Sequence, residues 1–564
     1  MYILGVNSVY HESSVCLIKD GRIIFAIEEE RLNRKKHGKS ADIDNSDELP
    51  LASINAALSF EGIKLSDIDS IGYSIDPIGR HKSAYIDEVK LTDSWATESG
   101  EMIFYRRTSN VPLKLQKMGF RGDFHWVAHH LAHAASAYYP SSFEESLILS
   151  LDGIGEDNTA GVFVGKKNKI DKISSVAYPN SIGFMWEKIS EYLGFSEYDA
   201  CKVMGMAAYG DPEKFKKHFS RIVKCLPKGQ FTIDNDILEF RSKSFSNLEN
   251  LFDLQKRNQG DDLHQEHYDI AATLQVVTDE IVMNMTSYYL NVTGSRHVCL
   301  AGGVALNCIT NRLLYEKCDI DDIYVQPAAH DAGTAIGAAL YIWHHILDQI
   351  QRHPMKNAYL GPEYSDSEYE KVLNEYNLPW EKVSNTHEEV ANLISNGNVV
   401  AWFQGRMEFG PRALGNRSLL ADPRNSDIRD LMNLKVKHRE FFRPFAPSVL
   451  REYVNDWFVS RGLPDAAKYM LLAMDVKSDR RGTIPAVTHA DGTARVQVVD
   501  RDINDSYARL ISEFHKLTGV PILLNTSFND SEPVVCSPED AIKTFLKTRI
   551  DFLVLGEYIV KSIH

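Results

Sequence analysis

Two histidines four residues apart carry the first chemical signal. In HHLAHA, residues 129–134, His129 and His133 share one face of any helix, so their imidazoles can grip a single metal ion. The same spacing also suits half-buried helix histidines that are simply hydrogen-bonded. Asp152 in SLDGIGED and Asp331 in AAHDAG sit in turns after apolar runs and offer hard oxygen donors. Neutral imidazole combined with carboxylate favours iron, zinc or manganese over calcium.

Glycine-bearing turns form a second set: GVNSVYHESS at 5–14, DGIGEDN at 152–158 and AGGVALN at 301–307. Amides in such turns hold phosphate oxygens. Each alone is an ordinary turn. Together, with Asn7 in the first and Gly302, Gly303 and Asn307 in the third, they read as a nucleotide cleft. Neither a P-loop nor a dinucleotide fingerprint matches.

A third set is basic. Residues 401–424 and 433–448 gather Arg406, Arg412, Arg417, Arg424, Lys435, Lys437, Arg439 and Arg443 in a chain of net charge −15. These cations alternate with Gly, Pro, Leu and Phe rather than with Glu, which points to a cradle for a small polyanion over a solvated face. LLNTSFND, 523–530, adds Asn525, Ser527 and Asn529, suited either to a phosphoryl group or to a turn.

Positioning these groups requires sheets. Residues 2–7 read as a strand, and 15–20 with 22–28 as a hairpin around Asp20 and Gly21. Residues 146–151, the turn 152–156 and 160–164 repeat that plan, which implies a duplicated α/β core. Residues 269–289 carry helical spacing, 297–300 and 322–326 are short strands, and the small residues of PAAHDAGTAIGAAL suit a close-packed helix. Periodicity lapses over 353–365, giving an expected division into 1–352, a linker, and 366–564.

The 564 residues are 44% hydrophobic and 25% charged, which excludes disorder as the main state. The acidic balance opposes nucleic-acid binding. No apolar stretch reaches membrane-spanning length and no export signal precedes the first strand, so a cytoplasmic protein is expected. Seven cysteines without a C-x-x-C pattern imply reduced thiols.

The chain resembles the carbamoyltransferases of nodulation and antibiotic biosynthesis over essentially its whole length. The resemblance lies in EEERLNRKKHG, 28–38, HHLAHAASAYY, 129–139, DGIGE, KVMGMAAYG, 202–210, AGGVALN, GPRALGNRS, REFFRPFAPS, DGTAR, 491–495, and NTSFN. It implies a mixed α/β architecture: an N-terminal Kae1-like domain of the actin, sugar-kinase and Hsp70 ATPase class fused to a C-terminal YrdC-like domain. The latter would join carbamoyl phosphate to ATP, supplied with Mg2+, giving carbamoyl adenylate and pyrophosphate. The former would pass the carbamoyl group to a hydroxyl of a small natural-product or sugar acceptor. Iron, Fe2+, is the metal implied, on His129, His133, Asp152 and Asp331. Arg412, Arg417, Lys437, Arg443, Arg495, Ser527 and Asn529 match the positions for carbamoyl phosphate and ATP.

His11 is the expected general base, since an imidazole titrates near working pH. Lys36 and Lys202 are candidates for phosphate or carbonyl contact. Glu12 and Ala208 stand where the family more often has Asp and Pro. Residues 75–122 are expected to face the acceptor. Two rivals are tRNA threonylcarbamoyl transfer, which the negative charge opposes, and a non-catalytic nucleotide-binding protein. The expected state is monomer or homodimer.

Overall fold

The computed structural model describes residues 1–83, 95, 97–437 and 439–562. Of the stretch 75–122, residues 84–94 and 96 lie outside the described residues, as does the side chain of Lys435 in the basic cluster. The fold is mixed α/β, and the chain forms two compact units: Met1–Ile24 with His37–Met355, and Phe25–Lys36 with Lys356–His564.

In the first unit, β1 (Tyr2–Asn7), β2 (Ser14–Lys19), β3 (Arg22–Glu28), β4 (Ser70–Tyr73) and β5 (Asp123–Trp126) form a sheet in the order β3-β2-β1-β4-β5. Residues of β3 from Phe25 onward count with the second unit. Helix α1 (His129–Tyr138) follows. Next come β6 (Glu145–Leu151), β7 (Asn158–Lys166), β8 (Lys169–Ala177), helix α2 (Ala200–Met206), the hairpin β9 (Val223–Leu226) with β10 (Gln230–Ile233), and the long helix α3 (Gln265–Thr293). β11 (His297–Ala301), α4 (Cys308–Lys317), β12 (Asp322–Val325) and α5 (Thr334–Tyr341) complete the core. The second sheet runs β12-β11-β6-β7-β8.

The two sheets repeat one plan. β1 is antiparallel to β2 and parallel to β4, which is parallel to β5. Likewise β6 is antiparallel to β7 and parallel to β11, which is parallel to β12. A strand flanked on both sides and covered on both faces must be apolar nearly throughout, and β6, ESLILSL, is buried after its first residue. The turn after each central strand, residues 8–13 and 152–157, is where the polar groups collect.

Helix α1 is buried except at Leu131, and α5 packs against it backbone to backbone. A Cβ on Gly337 of α5 would lie 1.7 Å from the Ala132 carbonyl oxygen of α1, so only glycine permits the approach. The small residues of 334–341 therefore fix where α1 stands.

The second unit contains β13 (Trp380–Lys382), β14 (Val400–Phe403), β15 (Arg417–Ala421), β16 (Ala446–Leu450), β17 (Phe458–Val459), β18 (Ala473–Val476), β19 (Thr493–Arg495), β20 (Gln497–Val499), β21 (Ile522–Ser527), β22 (Phe552–Leu555) and β23 (Tyr558–Lys561). Its main sheet has the order β13-β23-β22-β14-β15-β21-β16-β20, with β17-β18-β19 as a smaller sheet. All seven cysteines are free thiols. No helix among the described residues is long and apolar enough to cross a membrane.

Gly337→Ala is expected to lower stability by about 1–3 kcal/mol, read as a reduced urea midpoint. Gly482, where an added Cβ meets nothing within 4 Å, should accept alanine with little change. Equal midpoints for the two variants would show that α1 and α5 separate without cost.

Candidate metal centre and anion site

Four side chains from three places in the first unit converge. His129 and His133 come from successive turns of α1, Asp152 from the end of β6, and Asp331 from the one-turn helix before α5. The Nε2 atoms of His129 and His133 lie 3.2 and 3.6 Å from Asp152 Oδ2 and 3.5 and 3.4 Å from Asp331 Oδ1. Ligands about 2.1 Å from a central cation in a tetrahedron are roughly 3.4 Å apart, so the spacing fits one divalent ion. Both imidazoles are fully buried.

The orientation of each donor is fixed from behind. His129 Nδ1 lies 3.2 Å from the Ser74 carbonyl oxygen, which can only accept, so Nδ1 carries a proton and Nε2 is the ring atom that faces the cluster. Asp152 Oδ1 accepts the Gly303 N–H at 2.8 Å, leaving Oδ2 for the imidazoles. That contact needs Gly302, whose φ of +89° is left-handed and whose Cβ would lie 2.2 Å from the Leu151 carbonyl oxygen. Glu156, not foreseen as a site residue, accepts the His129 and Asp76 N–H groups at 2.8 and 3.0 Å and so caps α1 with a carboxylate.

The histidine between the two ligand candidates does different work. His130 Nδ1 meets Ser150 Oγ at 2.7 Å and Nε2 donates to the Asn158 carbonyl at 2.9 Å, tying α1 to β6 and β7. Burial, with the charges of His129 and His133, pushes its pKa down to about 3. In Asp152, burial pushes upward, but the adjoining His129 and His133 imidazoles outweigh it and hold the carboxyl well below its ordinary range. For His129, burial opposes the charge and the two aspartates override it, raising the imidazole well above its usual value. Neither ring nitrogen of His133 has a hydrogen-bond partner among the described residues, as befits a side chain aimed at a cation.

The first turn is organised around Asn7, whose Nδ2 donates to the His11 and Glu12 carbonyls at 3.3 and 3.0 Å and whose Oδ1 accepts from Ser74 Oγ. Its amide group thus ties the loop to the end of β4. His11 is half-buried beside Tyr198, ring centres 5.3 Å apart, and its Nδ1 has no partner among the described residues. Glu12, at φ +56°, pairs with His37 Nδ1 at 2.5 Å. Lys202 on α2 pairs with Asp199 at 3.2 Å. Asn307 caps α4 through the Ile309 and Thr310 amides and donates to Gln275 on α3. Arg80, within the stretch expected to face the acceptor, is instead buried, forking onto Glu101 at 2.7 and 2.5 Å and donating to the Gly155 carbonyl.

In the second unit the cations divide by what they bond. Arg417 is fully buried, with Nη1 on the carbonyls of Gln404, Gly405 and Asn416 and its guanidinium 3.6 Å from the Phe403 ring centre. It clasps backbone carbonyls in the core, with Nε and Nη2 also directed at the Cys536 and Pro362 carbonyls at 3.4 Å each. Lys437 is buried on the carbonyls of Ser527 and Asn529, and burial with Arg439 and Arg443 nearby pushes its pKa well below the lysine range. Ser527 Oγ donates to Asn529 Oδ1 at 2.8 Å. Asn525 is buried and joins the Ala413 carbonyl to Gln497. Arg412 is half-buried with its Nε buried and without a partner among the described residues. Arg443 and Arg495 are half-buried, and Lys36 is exposed in a turn.

The Arg412 loop has supports that were not anticipated. Glu408 Oε1 accepts the Leu414 and Asn416 amides at 2.8 Å each. Glu28 Oε1 accepts the Gly410 N–H, while Arg31 Nη2 donates to the Gly410 carbonyl, both at 3.0 Å.

His133→Ala and Asp152→Asn should each lower the bound transition metal at least about tenfold in elemental assays of the purified protein. His130→Gln should keep the metal but lose about 1–3 kcal/mol of stability. Its pKa sign is definite: folded His130 titrates below the unfolded value of about 6.5, so its contribution is complete above that pH and declines as pH falls toward 3. The variant should flatten that decline. Metal loss in His130→Gln equal to that in His133→Ala would refute the division of roles.

The chain matches the carbamoyltransferase N-terminus family over residues 2–340 and the carbamoyltransferase C-terminus family over 391–562. Among solved structures, full-length HypF in its phosphate- and nucleotide-bound form gives a TM-score of 0.35 at 14% identity, over 62% of this chain and 56% of that one. The uncharacterized protein sll1178 of Synechocystis sp. is 36% identical across 99% of this chain and 96% of its own. Nodulation protein NolNO of Sinorhizobium fredii is 39% identical across 99% of this chain and 80% of its own. With both halves matched and relatives of this identity along its length, the chain belongs to the carbamoyltransferase family and is a carbamoyl-transferring enzyme.

Proposed function

We propose that the enzyme is an ATP-dependent O-carbamoyltransferase working in two stages. In the second unit, taken as YrdC-like, carbamoyl phosphate is hydrolysed to carbamate and phosphate, and the carbamate oxygen attacks the α-phosphorus of Mg2+-bound ATP. Pyrophosphate leaves and carbamoyl adenylate forms. In the first unit, taken as Kae1-like, an acceptor hydroxyl oxygen attacks the carbamoyl carbon, the bond to the adenylate oxygen breaks, and AMP departs. A carbamoyl carbonyl is a weak electrophile because its nitrogen donates into it, so a mixed anhydride is needed to reach an alcohol.

The convergence of His129, His133, Asp152 and Asp331 in a member of this family carries the reading. These four would hold a divalent transition metal, with iron as the proposed ion. Bound there, it would neutralise charge on the adenylate phosphate as a Lewis acid. His11, half-buried with Nδ1 unpartnered, would take the acceptor's proton. Lys202 and Lys36 would steady phosphate oxygens. In the second unit Arg412, Arg443 and Arg495 would bind phosphoryl oxygens, while Lys437 holds the 527–529 turn in shape. The acceptor is proposed to be a small hydroxylated molecule.

Purified protein should release pyrophosphate from ATP only when carbamoyl phosphate is present. Arg412→Ala should slow that release about 10²-fold with metal content unchanged. Release from ATP alone, or none in the presence of both carbamoyl phosphate and a library of hydroxylated acceptors, would sink the proposal.

A further inference from the structure

A tight turn precedes β19 in the second unit. The His489 N–H bonds the Thr493 carbonyl at 2.8 Å and the Gly492 N–H bonds the His489 carbonyl at 3.0 Å. Thr493 Oγ1 lies 2.7 Å from Asp491 Oδ1 and 3.1 Å from His489 Nδ1. An ionised carboxylate only accepts, so the hydroxyl proton goes to Asp491. The imidazole must therefore donate to the hydroxyl oxygen, which places its proton on Nδ1. Nε2 is left as a bare lone pair, buried and without a hydrogen-bond partner among the described residues. Burial, aided by the charge of Arg495, lowers the pKa to about 4, so the ring is neutral at physiological pH.

The turn stands at the end of the sheet from which Arg443 and Arg495 come. Thr493 and Arg495 alternate with Ala494 on β19 and so share a face. β16 pairs with β20 at Ser448 and Gln497 and with β21 at Ala446 and Asn525. Arg495, two residues before Gln497, is thus level with Ala446 and Asn525, near Arg443, Ser527 and Asn529 in register. Arg412, Arg443 and Arg495 are donors only, suited to phosphate oxygens but unable to receive an N–H. A carbamoyl group carries an NH2 that needs an acceptor.

Resting on the reading that the second unit binds carbamoyl phosphate, we propose that His489 Nε2 accepts a hydrogen bond from the carbamoyl NH2 and selects this donor over acyl phosphates of the same shape. Acetyl phosphate presents a methyl group there and leaves the buried lone pair unpaired.

The test is carbamoyl-phosphate-dependent pyrophosphate release by the full-length metal-loaded protein, with acetyl phosphate as competitor. His489→Leu should raise the KM for carbamoyl phosphate at least about tenfold, leave the KM for ATP unchanged, and bring the affinities for the two acyl phosphates close together. His489→Gln, whose amide oxygen reaches toward the place of Nε2, should keep discrimination within about threefold of the parent. Thr493→Val, which frees the tautomer while leaving the ring in place, should weaken discrimination in the same direction and decides the matter if His489→Leu does not fold. Unchanged discrimination in His489→Leu or, failing that, in Thr493→Val overturns the assignment alone. Absence of carbamoyl-phosphate-dependent release in the parent protein overturns the donor reading and the assignment with it.

Discussion

The first unit's polar centre depends on how the Asp152 carboxylate is shared. One oxygen is committed to the Gly303 amide, and only then does the other face both imidazoles. The register of β6 with β11 makes this possible, because Ser150 lies opposite Ala301 and the two strands end together. The glycine turn therefore aims the Asp152 carboxylate. Helix α1 is located independently, by the Glu156 carboxylate at its start and by α5 along its flank. Two rigid bodies meet at four atoms, so a displacement of either would separate all four together.

In the second unit the corresponding constraint is on carbonyl groups. Arg417 and Lys437 neutralise inward-pointing carbonyls and shape the Gln404–Gly405 and Ser527–Asn529 turns. This leaves Arg412, beside a loop held by Glu408, Glu28 and Arg31, with an unspent donor. The cluster of cations is thus layered, its inner members bonded to carbonyls of the turns they hold.

Much of this was legible from spacing. Apolar runs located β1, β6, β11 and β12, small residues located α5, and the four-residue interval of His129 and His133 survived as a shared face. What spacing could not decide was which imidazole of HHLAH faces away, because His130 is claimed by the Asn158 carbonyl and Ser150, groups remote in sequence. Nor could charge distinguish Arg417 from Arg412, since the difference is whether carbonyls surround the guanidinium. The roles of Glu156 and Glu408 were hidden for a related reason: they bond backbone amides, which carry no sequence signature. The tautomer of His489 likewise depends on which way a threonine hydroxyl points.

The excursion of residues 25–36 into the second unit has a consequence for synthesis. Arg34 donates to the carbonyl of Val534, 500 positions later, and Arg31 and Glu28 bracket Gly410. A chain emerging from the ribosome delivers these residues long before Gly410 and Val534, with residues 37–355 of the first unit in between. Folding of the two halves is consequently interleaved, and a fragment starting at Lys356 would be missing a piece of its own interior.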